Sequence, residues 1–220
     1  DVNDHIMEIM FMADAYRRSG CGDIILVVPC FPYARQDKKD KPRQPISSSV
    51  VINMLKEYVS HVITMELHSP QLQAVFPPGV DVDNLPMKPL VYERFRSEIA
   101  GNYANIVFVA PDYGALKRVS GYAQMFHTAK SLPEIPCTSM DKRRSHEKAN
   151  TIESMELTNK IDMRGKTAYI FDDMADTIGT ACTAAKSLKE DWGTSRVIVV
   201  VCHGILSGPA LERLDQPHID

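Results

Sequence analysis

Disulfide spacing is missing from this sequence. Its five cysteines, Cys21, Cys30, Cys137, Cys182 and Cys202, are odd in number and none form a CxxC pair. That argues against a disulfide framework and a zinc site, and points to buried thiols of a reducing compartment. An excess of one charge is missing too. With 25 basic and 28 acidic residues the net charge is −3, so nothing global argues for nucleic acid or an anionic membrane. No apolar run is long enough to span a bilayer. The opening Asp1-Val2-Asn3-Asp4 does not read as a signal peptide, and the expected compartment is the cytoplasm. Low-complexity tracts and internal repeats are likewise absent.

What is present suffices for one or two domains: 220 residues, 44% of them hydrophobic. Apolar runs that scarcely alternate recur at Ile24 to Val28, Val62 to Met65, Ile106 to Ala110, Ala168 to Phe171 and Val197 to Cys202. Such runs suit parallel strands covered on both faces. Between them lie helical stripes. Ala115, Val119, Tyr122, Ala123 and Phe126 share one face, and Ala181, Ala184, Ala185, Leu188 and Trp192 share another. The alternation predicts an α/β fold with mostly parallel sheets flanked by helices, its sites in the loops after the strands. The Pro- and Gly-rich stretch Phe76 to Pro86 reads as a hinge between two lobes, 1–87 and 88–220. Lys142 to Thr151 reads as a mobile basic loop. The chain opens directly on a helix, Asp4 to Arg18, that is apolar on most sides, and it stops without a further strand. Both ends therefore read as cuts, with N-terminal and C-terminal parts of the domains missing.

The stretch Thr167 to Thr180 carries the most functional information. An apolar run leads into Asp172 and Asp173, then into Asp176-Thr177-Ile178-Gly179-Thr180, then into a helical pattern. Unpaired N–H groups at a helix start attract a phosphate, and hydroxyl donors at Thr177 and Thr180 add to them. Asp172 and Asp173 are acceptors for ribose hydroxyls. A sugar phosphate needs both kinds of group at once. This pattern resembles the signature of the phosphoribosyltransferase fold.

Further stretches narrow the resemblance to ribose-phosphate pyrophosphokinase (PRPP synthetase). Cys30 to Asp40 is similar to that family's nucleotide loop, Thr64-Met65-Glu66-Leu67-His68 to its metal motif, Asp141-Lys142-Arg143-Arg144 to the start of its catalytic flexible loop, and His203 to Ala210 to its near-C-terminal loop. Pro111-Asp112-Tyr113-Gly114 and Val82-Asp83-Asn84-Leu85 fall in the family's order as well. The resemblance implies two phosphoribosyltransferase-like domains and an enzyme that transfers the diphosphoryl group of ATP to O1 of ribose 5-phosphate, giving PRPP and AMP. It implies ribose 5-phosphate binding by Asp172, Asp173, Asp176, Thr177, Ile178, Gly179 and Thr180. Lys142 and Arg144 are the implied catalytic cations. Arg35, Gln36 and Asp37 are the implied ATP contacts, and His68, Asp112, Glu66 and Asp83 the Mg2+-linked residues. Ser47, Gln73 and Ser207 correspond to an effector site for phosphate and ADP. A homo-oligomer, a hexamer in the family, is expected, with neither nucleic acid nor a membrane as partner.

Three positions depart from the family. Glu66 replaces the usual aspartate, and Tyr113 and Ala115 flank Gly114 where smaller residues are usual. These departures motivate an alternative, a catalytically impaired regulatory subunit. A nucleobase phosphoribosyltransferase, sharing only the ribose-phosphate turn, is the third reading. A segment that holds adenine in the family has no counterpart, so the 220 residues by themselves are expected to be inactive.

Overall fold

The computed structural model describes residues 1–130, 133–144, 152–159 and 161–220, with only the backbone described at 130, 142–144 and 152–155. The chain divides into two compact units, Asp1–Met87 and Lys88–Asp220.

In the first unit, α1 (Val2–Arg18) is opened by a reciprocal capping box between Asp1 and Asp4. Strands β1 (Ile25–Val27), β2 (His61–Met65) and β3 (Asp81–Leu85) form a parallel sheet in that order. Helix α2 (Ser47–Leu55) buries Val51, Ile52 and Leu55 against Val62, Leu67 and Leu72. Pro70 opens a 3-10 turn, Pro70–Val75, where its missing N–H costs nothing. Helix α1 contributes only Ile6 and Ala13 as buried residues, while Met7, Phe11, Met12 and Tyr16 stay exposed.

The expected hinge at Phe76 to Pro86 is corrected here. Its second half is strand β3, paired with β2 from His61↔Asp81 to Met65↔Leu85. The strand escapes apolar pattern reading because it is mostly exposed. Its outward positions are Asp81, Asp83 and Leu85.

The second unit contains α3 (Lys88–Asn102), β4 (Ile106–Ala110), a 3-10 turn (Tyr113–Ala115), α4 (Leu116–Lys130), β5 (Cys137–Arg144) and β6 (Ile152–Leu157). It continues with β7 (Thr167–Ala175), α5 (Gly179–Glu190), β8 (Arg196–Gly204) and α6 (Ala210–Leu214). Its sheet has the order β6-β5-β4-β7-β8 and is parallel except for β6, which runs antiparallel to β5. The expected basic loop at Lys142 to Thr151 is corrected in part. Residues Lys142 to Arg144 belong to β5, with a register shift between Arg143 and Arg144, and 145–151 lie outside the described residues.

Strand β7 organises this unit. Its side chains alternate between two apolar layers, as a pleated strand requires. Ala168 and Ile170 join Ala184, Ala185 and Leu188 of α5. Tyr169 and Phe171 enter an aromatic cluster with Phe108 and with Tyr122 and Phe95 of the helices opposite. Both helical stripes read from sequence are buried as expected, apart from Trp192, which is half-buried and packs against the α5 layer just past the helix.

Candidate active site

The strand that carries the two acids is longer than its apolar run. β7 continues to Ala175, so Asp172 and Asp173 are strand residues and only Asp176 to Ile178 form the turn. Alternation then separates the acids. Asp173 follows Phe171 on the face packed by the helix-borne aromatics, and is 5% exposed. There Arg118 of α4 meets it, Nη1 donating to Oδ1 at 2.9 Å. Asp172 lies on the other side of the pleat. Its Oδ1 accepts the Asp173 N–H at 2.9 Å and stands 4.0 Å from Arg118 Nη1. Burial, and then the neighbouring Asp173 carboxyl, push the Asp172 carboxyl up to about 7, partly opposed by the Asp173 N–H and then by Arg118. The pair thus titrates near neutrality.

The turn itself is strained. Ile178 has φ 54, a left-handed conformation that costs a β-branched residue roughly 1–3 kcal/mol. Packing holds it there: Ile178 is 7% exposed and clusters with Ala175, Ala181 and Ala210. No side chain caps α5. The N–H groups of its first turn therefore face the turn as a ready-made anion site. Thr177 is exposed and Thr180 half-buried beside it.

The segment after β8 braces this turn. Ser207 N–H donates to Asp176 O at 3.0 Å, and Ile205 and Leu206 N–H groups to Ala175 O at 2.9 and 3.1 Å. Ser207 Oγ donates to Asp176 Oδ1. Ser207 and Asp176, assigned separately from sequence to an effector site and to the sugar site, are thus direct partners. Arg213 Nη1 donates to Thr177 O at 2.8 Å.

Asp112 follows β4 in extended backbone, and its Oδ1 accepts the Ala115 N–H at 3.1 Å. It caps the 3-10 turn that leads into α4. Ala115 is buried and Tyr113 is exposed, so the extra methyl at 115 is taken up by the protein interior.

In the first unit, β2 ends at Met65 and the chain turns sharply. Glu66 has φ 39, and its Oε2 accepts the Met87 N–H at 2.7 Å. Leu67 N–H donates to Asn84 Oδ1 at 3.0 Å, so β3 anchors this turn. His68 is exposed just beyond it. Asp83 Oδ2 lies 2.9 Å from His61 Nε2 on the neighbouring strand. The loop after β1 is pinned by Phe31 and Ala34, both buried, with Phe31 set edge-on to Phe76 at 5.6 Å. That leaves Arg35 and Gln36 exposed and Asp37 half-buried. The Gln36 carbonyl accepts from Ser48 Oγ at 3.0 Å, which ties the loop to α2. Ser47 lines an apolar cavity of about 420 Å³ with Ile6, Val50, Val51 and Met54. Gln73 Nε2 donates back to Pro70 O at 3.1 Å.

Comparison with known proteins decides the family. A family model described as the N-terminal domain of ribose phosphate pyrophosphokinase matches residues 1–58, and one described as the phosphoribosyl synthetase-associated domain matches residues 125–220. Ribose-phosphate pyrophosphokinase 2 of Schizosaccharomyces pombe is 40% identical over all of this chain. The chain belongs to the ribose-phosphate pyrophosphokinase family. The phosphoribosylpyrophosphate synthetase structure from Mycobacterium smegmatis superposes with a TM-score of 0.84 at 31% identity, over 97% of this chain. The chain spans 64% of the yeast pyrophosphokinase's length and 65% of the mycobacterial synthetase's.

Two residues beside the candidate site were not legible in the sequence. Arg118 lies 55 positions from Asp173, and Arg213 lies 36 from Thr177. Neither falls in a short motif. A basic residue on the helix facing an acidic strand end was the one available signal, and it needed the sheet order to be read. Of the expected catalytic cations, Lys142 and Arg144 have described backbone only, in β5. Among the described residues no helix is long and apolar enough to cross a membrane.

Proposed function

We propose that this chain carries the ribose 5-phosphate site and the diphosphoryl-transfer residues of a ribose-phosphate diphosphokinase. One observation carries the reading. An acidic strand end, Asp172 and Asp173, sits directly before a strained turn and an uncapped helix start. That arrangement offers acceptors to the ribose hydroxyls and N–H donors to the 5-phosphate, Thr177 and Thr180 adding hydroxyl donors.

The sugar's own O1 hydroxyl attacks the β-phosphorus of ATP. The bond from that phosphorus to the α–β bridging oxygen breaks and AMP leaves, so no protein nucleophile is needed. Such a transfer depends on positioning and charge neutralisation. Lys142 and Arg144 supply cations to the moving diphosphoryl group, while Arg35 and Gln36, with Asp37 beside them, hold ATP. Mg2+ fits the donor chemistry. It is a hard ion that takes one or two carboxylates and fills its shell with water and phosphate oxygens. In the second unit Asp112 supplies such a carboxylate; in the first, His68 is the candidate contact, with Glu66 and Asp83 as weaker candidates. When bound, the ion would neutralise the charge of the ATP phosphates. Phosphate and ADP are the proposed effectors, with Ser47, Gln73 and Ser207 as contacts, in a homo-oligomer.

The test is AMP formation from ATP and ribose 5-phosphate, with Mg2+ and phosphate, by the full-length protein carrying this sequence. AMP is the expected product. Folded protein that yields none favours the impaired regulatory subunit, which Glu66, Tyr113 and Ala115 motivate. In that event Glu66→Asp with Ala115→Gly is the next variant. A base-plus-diphosphate assay separates off the nucleobase phosphoribosyltransferase reading.

A further inference from the structure

Gly179 opens α5 but does not need to be glycine for its backbone, since its φ is not in the left-handed region. The strained residue is its neighbour Ile178. What a side chain at 179 would meet is Arg213: an added Cβ would lie 3.0 Å from Nη1 and 3.6 Å from Cζ. The same Nη1 donates to Thr177 O at 2.8 Å. Arg213 is itself held in place. Its helix docks through the fully buried Ala210 against Ala175, Ile178 and Ala181. Its own carbonyl lies 3.6 Å from Cys182 Sγ on α5.

A trans peptide points its C=O and the following N–H in opposite directions. A guanidinium that grips the Thr177 oxygen therefore fixes the Ile178 N–H on the far side, away from the cation. Reversing that peptide would exchange the N–H for a carbonyl oxygen, which repels an anion.

We propose that Arg213 is a positioning residue of the phosphate turn: it locks the Thr177–Ile178 peptide with its N–H offered to the anion, and position 179 is glycine to leave room for the guanidinium. This rests on the ribose 5-phosphate reading of the turn. A merely structural role for Arg213 would lower stability and leave substrate affinity alone.

The experiment is a double-mutant cycle on the full-length protein, Gly179→Ala with Arg213→Ala. The readouts are ribose 5-phosphate binding by calorimetry, KM for each substrate, kcat and thermal unfolding. Losing one hydrogen bond to a charged group predicts that Arg213→Ala weakens ribose 5-phosphate binding by about tenfold or more. KM for ATP and kcat at saturation should stay within about twofold, because the loss is in ground-state binding. Gly179→Ala should weaken binding comparably by displacing the guanidinium, while its thermal midpoint holds or rises because alanine is the better helix former. The double variant should be no worse than either single one. Additive losses, or unchanged affinity in Arg213→Ala, overturn the proposal. If Arg213→Ala fails to fold, Gly179→Ala carries the test alone, since it keeps the arginine, and unchanged affinity there overturns it equally. Wild-type protein that fails to bind ribose 5-phosphate overturns the reading of the site itself, a result distinct from normal wild-type binding with indifferent variants.

Discussion

Replacing Arg118 by methionine removes the cation beside Asp173 and keeps most of the apolar stem. The ion pair is 2.9 Å long, and its side chains are 19% and 6% exposed. At that separation an effective dielectric of about 20 gives roughly 6 kcal/mol of gross attraction, and breaking a buried pair costs about 3–5 kcal/mol net. Arginine's partial exposure argues for the lower end, about 3 kcal/mol, equivalent to roughly two pK units. Asp172 already stands at about 7, through burial first and Asp173 second, held down in turn by the Asp173 N–H and by Arg118. Without the arginine the acidic pair should keep a proton to roughly pH 9. A carboxyl raised in the folded state costs stability as pH climbs from its unfolded value to its folded one, because the native state binds more protons throughout that window. For the wild type the window runs from 3.8 to about 7. In the variant it should extend upward by about two units.

The assay is KM for ribose 5-phosphate from pH 6.5 to 9.5, with thermal unfolding at the same values. Wild-type affinity should improve up to about pH 7.5 and level off, as Asp172 becomes a full acceptor. Arg118→Met should be about tenfold weaker at pH 8 and recover towards pH 9.5. A uniform offset between parallel profiles, or no offset, refutes the argument.

Other outcomes follow from the same geometry. Lys142→Ala should cut kcat by about a hundredfold or more with little change in ribose 5-phosphate binding, since its charge acts on the transferring group; single-turnover kinetics would check it. Ile178→Gly should be more stable than Ile178→Ala by about 1 kcal/mol, the reverse of helix propensity, because glycine accepts the left-handed φ; paired thermal melts decide this. Glu66→Ala should destabilise the first unit by about 1 kcal/mol by removing the acceptor for the Met87 N–H, read as a fall in the urea midpoint.

Legibility in the sequence followed burial. β4 is buried at every position, and its run Ile106 to Ala110 was readable to the residue. β3 was not, because Asp81 and Asp83 face outward on a strand whose main signature is its pairing with β2. The end of β7 was misplaced for a related reason. Two acids look like the start of a loop, yet strand hydrogen bonding to β8 continues through Asp172 and Ala175. The proposed ribose-phosphate turn stood out in the sequence because its candidate groups are local: acids, threonines and a helix start within nine residues, Asp172 to Thr180. Arg118 and Arg213 act across the fold, and a linear pattern holds no record of which helix lies over which strand end.

The pleat of β7 gives the two acids separate neighbourhoods. Asp173 inherits the aromatic side through Phe171, and Asp172 lies on the side of Ile170 and the α5 layer. The two carboxylates stay linked all the same, through the Asp173 N–H and the shared Arg118, so a change in either layer reaches both. A lineage could retune sugar affinity from beneath the sheet, by altering residues that never touch the sugar.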